Sequence, residues 1–181
     1  MNVVGSPISD VLLLEPEVFG DDRGFFMESF NQLKFNKAVG RQVSFVQDNH
    51  SRSSNNVLRG LHYQIKQTQG KLIRVLRGSI FDVVVDLRKS SSSFGQWFGT
   101  ELSEDNKREI WVPEGFAHGF LALSDFADIL YKTTDYYSPK HERCIRWDDL
   151  NIGIDWPIED KPLLSEVDKN GLSWEDAEMF S

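Results

Sequence analysis

The stretch from Lys71 to Leu87 constrains the fold more than any other part of this chain. From Ile80 to Leu87, Phe81, Val83, Val85 and Leu87 fall on one strand face, with Ile80, Asp82, Val84 and Asp86 on the other. Lys71 to Leu76 alternates similarly, and Arg77-Gly78-Ser79 supplies a turn, so the two segments read as a hairpin. Similar signals predict strands at Val11–Leu14, Gly24–Phe30, Val43–Asn49, Val57–Gln64, Gln96–Leu102, Arg108–Val112, Gly119–Ala122 and Ile129–Thr134. Asn31 to Val39 suits a short helix, with Asn31 as N-cap and Gly40 closing it. Many short strands with few helical periods mean a β-sandwich or barrel. A jelly roll is preferred, because one pole of such a barrel can open as a pocket.

At 181 residues the chain is sized for one domain. The jelly roll is expected over about 10–150, followed by an irregular segment over about 151–181 carrying Pro157, Pro162 and Gly171. A net charge of -8 and scattered lysines and arginines argue against nucleic-acid binding. No apolar run is long enough to span a bilayer, and no secretory leader is apparent. A single cysteine, Cys144, forbids an internal disulfide and fits a reducing compartment, so the cytoplasm is expected.

Several polar constellations interrupt the apolar pattern. In Leu58-Arg59-Gly60-Leu61-His62-Tyr63-Gln64, strand alternation sets His62 with Gly60 and Gln64, facing away from Arg59. Taken alone, His62 reads equally well as a structural histidine or a catalytic one. Pro113 to Phe120, with His118, has the look of a second cupin metal motif, but the first motif fails. Gln64 stands where a second histidine belongs, no glutamate follows before Phe81, and Lys71 brings an opposing cation. No metal is expected. Asp21 to Glu28 sets Arg23 and Phe26 near Glu28, suited either to surface pairing or to a phosphate and a base. Gln47 to Ser53 is a dense polar run that could satisfy a turn or read sugar and base hydroxyls. Tyr131 to Tyr137 carries three tyrosines at a strand end.

The ordered set Asp22-Arg23-Gly24-Phe25-Phe26, Gln47-Asp48-Asn49, Leu58 to Gln64, Gln69 to Val75, Val112 to Phe120 and Tyr131 to Tyr137 resembles the dTDP-4-dehydrorhamnose 3,5-epimerase family over essentially the whole chain. The resemblance implies a metal-free, cupin-type jelly-roll β-barrel with short peripheral helices. It also implies a homodimer exchanging N-terminal strands, no cofactor, and a dTDP-4-keto-6-deoxyhexose as substrate.

In such a sugar the C4 ketone acidifies the hydrogens on C3 and C5, and epimerisation needs proton removal on one face and return on the other. His62 suits the base, since its ordinary pKa of ~6.5 leaves it largely neutral. By resemblance, Asp168 orients it, Lys71 stabilises the enolate and Tyr131 returns the proton. Arg59 is the expected pyrophosphate anchor, with Arg23 adding a second cation from the neighbouring subunit. Gln47, Asn49, Phe26 and Glu28 are expected near the thymidine, His118 near sugar or phosphate, and Tyr137 against a ring. Three other activities compete: epimerisation at C3 or C5 alone, a metal-dependent cupin oxygenase, and a non-catalytic sugar-binding jelly roll.

Overall fold

The computed structural model describes residues 1–181. Thirteen strands form: β1 (Asn2–Gly5), β2 (Leu12–Glu15), β3 (Val18–Asp21), β4 (Gly24–Met27), β5 (Gln47–Ser54), β6 (Leu58–Gln64), β7 (Lys71–Arg77), β8 (Ser79–Asp86), β9 (Trp97–Ser103), β10 (Glu109–Val112), β11 (Phe116–Ala122), β12 (Phe126–Thr133) and β13 (Glu142–Cys144). Two short helices, α1 (Gln32–Val39) and α2 (Glu166–Lys169), lie outside them. One sheet has the order β1-β2-β10-β7-β12-β5 and the other β13-β6-β11-β8-β9, while β3 and β4 form a separate hairpin.

The alternation read from the sequence decides which layer each side chain enters. Ile80 and Val84 of β8 meet Ile73, Val75, Ile110 and Ile129 of the opposite sheet in the core between the sheets. Phe81, Val83, Val85 and Leu87 face outward, where Ile145, Ile152 and Trp156 of the C-terminal segment cover them. That segment is irregular because it serves as a lid of apolar anchors, each fully buried one contributing about 1.5–3 kcal/mol. A third cluster sits under α1, where Phe35 packs on Leu14, Leu72 and Trp111. Asn31 caps α1 by accepting from the Leu33 and Lys34 N–H groups, and Gly40 ends it at φ 76°.

The expected strands form with small shifts at their ends, but one assignment moves. The strand expected at Val43–Asn49 starts only at Gln47, and the polar run itself is β5. β5 is an edge strand whose residues alternate between half-buried and exposed, so neither face demands apolar side chains. Val43 instead packs beneath α1. Strands β1, β3 and β13 and helix α2 carried no sequence signal strong enough to predict them. No helix is long and apolar enough to cross a membrane.

Candidate active site

Between the sheets lies a cavity of about 400 Å³. Its walls carry Gln47, Asn49 and Ser51 from β5, Arg59 and His62 from β6, Lys71 from β7, His118 and Phe120 from β11, and Tyr131 from β12. Simple alternation expected Arg59 to face away from His62, yet both line this cavity. The cause is a bulge. His118 pairs with His62 and Phe120 with Arg59, so Gly60 and Leu61 together oppose the single residue Gly119. The extra residue returns Arg59 to the cavity side while Leu61 enters the outer core. Two glycines permit the close crossing: a Cβ on Gly60 would come 2.6 Å from Gly119 Cα, and one on Gly119 2.7 Å from the Arg59 carbonyl oxygen.

The bulge also frees a donor. Gly60 N–H donates to Asp168 Oδ1 at 2.9 Å, and the same oxygen lies 2.9 Å from His62 Nε2. That approach has ion-pair distance, but the ring N–H direction misses the oxygen, leaving Nε2 buried without an aligned hydrogen bond. Such contacts are often loose before a ligand binds. Asp168 is itself held by α2, where its N–H donates to Ser165 Oγ at 3.2 Å and the Ser165 N–H donates to its Oδ2 at 3.2 Å, a capping box to which the Ser165 hydroxyl adds a bond to Oδ2 at 2.5 Å. Burial would push this carboxyl up. The His62, Ser165 and Gly60 contacts outweigh it and hold the group at about 2.

Lys71 is enclosed by the same walls. Its Nζ donates to the His62 carbonyl oxygen at 3.4 Å. Burial pulls its pKa down to about 8, against the upward pull of Asp82 and Glu142. Burial raises the Tyr131 phenol as well, with the Arg59 cation opposing. Arg59 Nε donates to Ser53 Oγ at 3.0 Å and its Nη2 to the Arg52 carbonyl at 3.3 Å, so no carboxylate is among its hydrogen-bond partners. His118 Nε2 lies 2.8 Å from fully buried Asp82. Gln47 Nε2 donates to Asn49 Oδ1, and its Oε1 accepts the Tyr137 N–H at 3.1 Å. The Tyr137 hydroxyl donates to Glu142 Oε2 at 2.8 Å, and this hydrogen bond raises its pKa above the ordinary tyrosine value.

The cupin metal positions do not fit a metal. Gln64 ties down backbone, with Nε2 donating to the Gln67 carbonyl at 2.6 Å and Oε1 accepting the Ser138 N–H at 2.7 Å. His118 is committed to Asp82, and Lys71 brings an ammonium. Arg23, Phe26 and Glu28 stand apart from the cavity within one chain. Arg23 pairs with Asp21, and with Phe26 it lines an open pocket on the β3–β4 hairpin. Glu28 bonds Lys34 at 2.7 Å. Six cavity residues, Ser51, Gln69, Phe120, Ile129, Glu142 and Ser165, were not among the expected site residues. The pattern Ser165-x-x-Asp168 is a cap signature that would have found Ser165. Glu142 had no local signal, because its place depends on β13 pairing with β6.

A family model described as dTDP-4-dehydrorhamnose 3,5-epimerase matches residues 5–176. The chain belongs to this family. A Pseudomonas aeruginosa relative, a dTDP-4-dehydrorhamnose 3,5-epimerase, is 62% identical over 173 residues, covering 96% of each chain. The crystal structure of a Legionella pneumophila dTDP-6-deoxy-D-glucose-3,5-epimerase in complex with dTDP-4-keto-L-rhamnose superposes with a TM-score of 0.95 at 48% identity, covering 98% of this chain and 94% of that one. ChmJ, a 3'-monoepimerase from Streptomyces bikiniensis crystallised with dTDP-quinovose, gives a TM-score of 0.87 at 32% identity, covering 93% and 85%. With the strand order above, these epimerase-family structures make the fold a cupin-type jelly roll.

Proposed function

We propose that this chain converts dTDP-4-dehydro-6-deoxy-D-glucose into dTDP-4-dehydro-L-rhamnose, epimerising C3 and C5 without a cofactor, in dTDP-L-rhamnose synthesis. The observation that carries the reading is the convergence in one cavity of His62 backed by Asp168, the half-buried Lys71 and the Tyr131 phenol. Asp168 beside Nε2 favours the tautomer protonated there, leaving Nδ1 as the basic nitrogen. Nδ1 takes the proton from C3 or C5. Negative charge then collects on the C4 oxygen, where the Lys71 ammonium acts on it. Tyr131, protonated at working pH, returns a proton to the other face of the ring; it then regains one from solvent, and His62 releases to solvent the one it took. The Asp168 carboxylate stabilises the imidazolium formed meanwhile. Arg59, with no carboxylate hydrogen-bonded to it, takes the pyrophosphate, and Gln47 and Asn49 with Tyr137 meet the nucleoside. His118, braced by Asp82, reaches the sugar.

Support for the double epimerisation is the 62% identity to a 3,5-epimerase against 32% to a 3'-monoepimerase. Exchange in deuterium oxide tests it: label at both C3 and C5 is expected, and label at C3 alone would refute it. His62→Asn should abolish exchange while dTDP-sugar binding persists, and substantial turnover in that variant would refute His62 as base. A pure sugar binder would have no exchange to lose.

The second part of the reading is a homodimer. The β3–β4 hairpin exposes Phe19, Phe25 and Phe26 at 56%, 61% and 69%, a poor surface to leave in water. Seating that hairpin on a second copy would cover these rings and bring Arg23, Phe26 and Glu28 to the neighbour's nucleotide end. One domain over 1–181 and a cytoplasmic location complete the proposal, since the substrate is nucleotide-linked.

A further inference from the structure

Cys144 takes no part in the chemistry above, yet its sulfur stands beside two residues that do. Strand β13 runs antiparallel to β6 with Cys144 opposite His62. The adjoining pair, Leu61 and Ile145, exchanges both backbone hydrogen bonds at 3.0 and 2.9 Å. His62 and Cys144 are therefore a pair without ladder bonds, the kind whose side chains approach most closely. From the other side, α2 delivers Asp168. A ring nitrogen of His62, Sγ of Cys144 and a carboxylate oxygen of Asp168 lie within 4.8 Å of one another. Two of these donors have capacity to spare. His62 Nε2 is buried with no aligned hydrogen bond, and the Cys144 thiol makes only a long 3.6 Å contact to the Ile145 carbonyl.

We propose that His62, Cys144 and Asp168 form an inhibitory site for a thiophilic divalent cation of the Zn²⁺ class. One nitrogen, one thiolate sulfur and one carboxylate oxygen are a zinc donor set with a fourth position left open. Bond lengths of about 2.0–2.3 Å put neighbouring donors about 3.5 Å apart, so side-chain rotation closes the triangle. This set shares only His62 with the cupin ligand positions; Cys144 and Asp168 lie outside them. Thiolate and carboxylate together neutralise the dication, and Glu142, two residues from Cys144 and facing the cavity, adds to the attraction. Lys71 opposes it from the His62 side, where its Nζ donates to the His62 carbonyl oxygen at 3.4 Å.

Binding must displace the thiol proton, which burial, with help from Asp168 and Glu142, has made hard to remove. One proton is therefore released per metal, and affinity rises with pH by up to about tenfold per unit. The metal takes Nε2 of the base and detaches Asp168 from it. The imidazole then carries a cation and its Nδ1 loses basicity. Arg59 and Gln47 are untouched, so kcat falls while KM stays near its metal-free value. Inhibition as a readout rests on the epimerase reading; metal binding itself does not.

The test titrates Zn²⁺ into metal-free wild-type enzyme and into Cys144→Ser and Cys144→Ala, following turnover, with Co²⁺ absorption as an independent probe. Near-stoichiometric Zn²⁺ should silence the wild type, and a chelator should restore it. Both variants should keep basal turnover and need at least tenfold more Zn²⁺. Co²⁺ should give a thiolate-to-metal charge-transfer band in the wild type alone, and Mg²⁺, which prefers oxygen, should do nothing. Equal inhibition of wild type and both variants overturns the proposal. A wild-type cobalt complex lacking that band overturns it whatever the turnover data show.

Discussion

Replacing Lys71 by Met removes a charge that the fold holds at a cost and keeps an apolar stem of similar length. Burial lowers the Lys71 pKa from 10.5 to about 8. That displacement, at 1.36 kcal/mol per unit, corresponds to a penalty on the order of 3 kcal/mol for carrying the ammonium in the folded state. The hydrogen bond from Nζ to the His62 carbonyl returns about 1 kcal/mol. Lys71→Met should therefore be more stable than the wild type by about 2 kcal/mol at pH 7. The folded state prefers neutral lysine, so the wild type's penalty is complete below about pH 8. It is relieved as pH rises through 8 towards 10.5. The stability gap between variant and wild type should accordingly shrink to less than half by about pH 9.5, as calculated from the same two pKa values. Urea unfolding followed by tryptophan fluorescence at pH 7, 8.5 and 9.5 measures it. Loss of the enolate's cation should meanwhile lower kcat by about 10²–10³. A variant less stable than wild type at pH 7, or a gap that ignores pH, refutes the reasoning.

Asp168→Asn should cut kcat by about 10³–10⁴ with little change in KM, by analogy with removal of a triad carboxylate. Because the Asp168 carboxyl is held at about 2, its contribution to stability is present above about pH 4 and lost as pH falls towards 2, so acid unfolding of the variant should lack this component. Sedimentation velocity should find a dimer. Phe25→Ser with Phe26→Ser should weaken it by at least about a hundredfold, since each buried ring contributes about 1.5–3 kcal/mol. An unchanged sedimentation profile would remove the hairpin from the interface.

What the sequence disclosed follows from where local rules operate. Strand β8 was legible on both faces because Phe81, Val83 and Val85 enter one apolar layer while Ile80 and Val84 enter another. Helix α1 was legible because Asn31 and Gly40 act through bonds to residues a few positions away. β5 was misplaced because an edge strand lining a polar cavity has no apolar face to display. The orientation of Arg59 was misread because alternation assumes an unbroken ladder. The bulge that breaks it depends on Gly119, about sixty positions away. Glu142 was invisible for the same reason: only the register of β13 against β6 brings it to the cavity. Asp168 was reached by family resemblance alone; its local mark, the cap pattern Ser165-x-x-Asp168, points to a helix start and says nothing of His62.

The bulge at Gly60 and Leu61 also sets a measure. Arg59 and His62 face the same cavity opposite Phe120 and His118, so the bulge compresses three residues into two rises, a spacing of roughly 7 Å along the strand. One end of that span is a fixed cation and the other a base, so the strand acts as a ruler between the anionic handle of a ligand and its reacting carbon. A 4-keto sugar without a phosphate handle would touch only one mark on it. It would forfeit the remote binding energy that holds the ring against His62, and so should turn over slowly even at saturation.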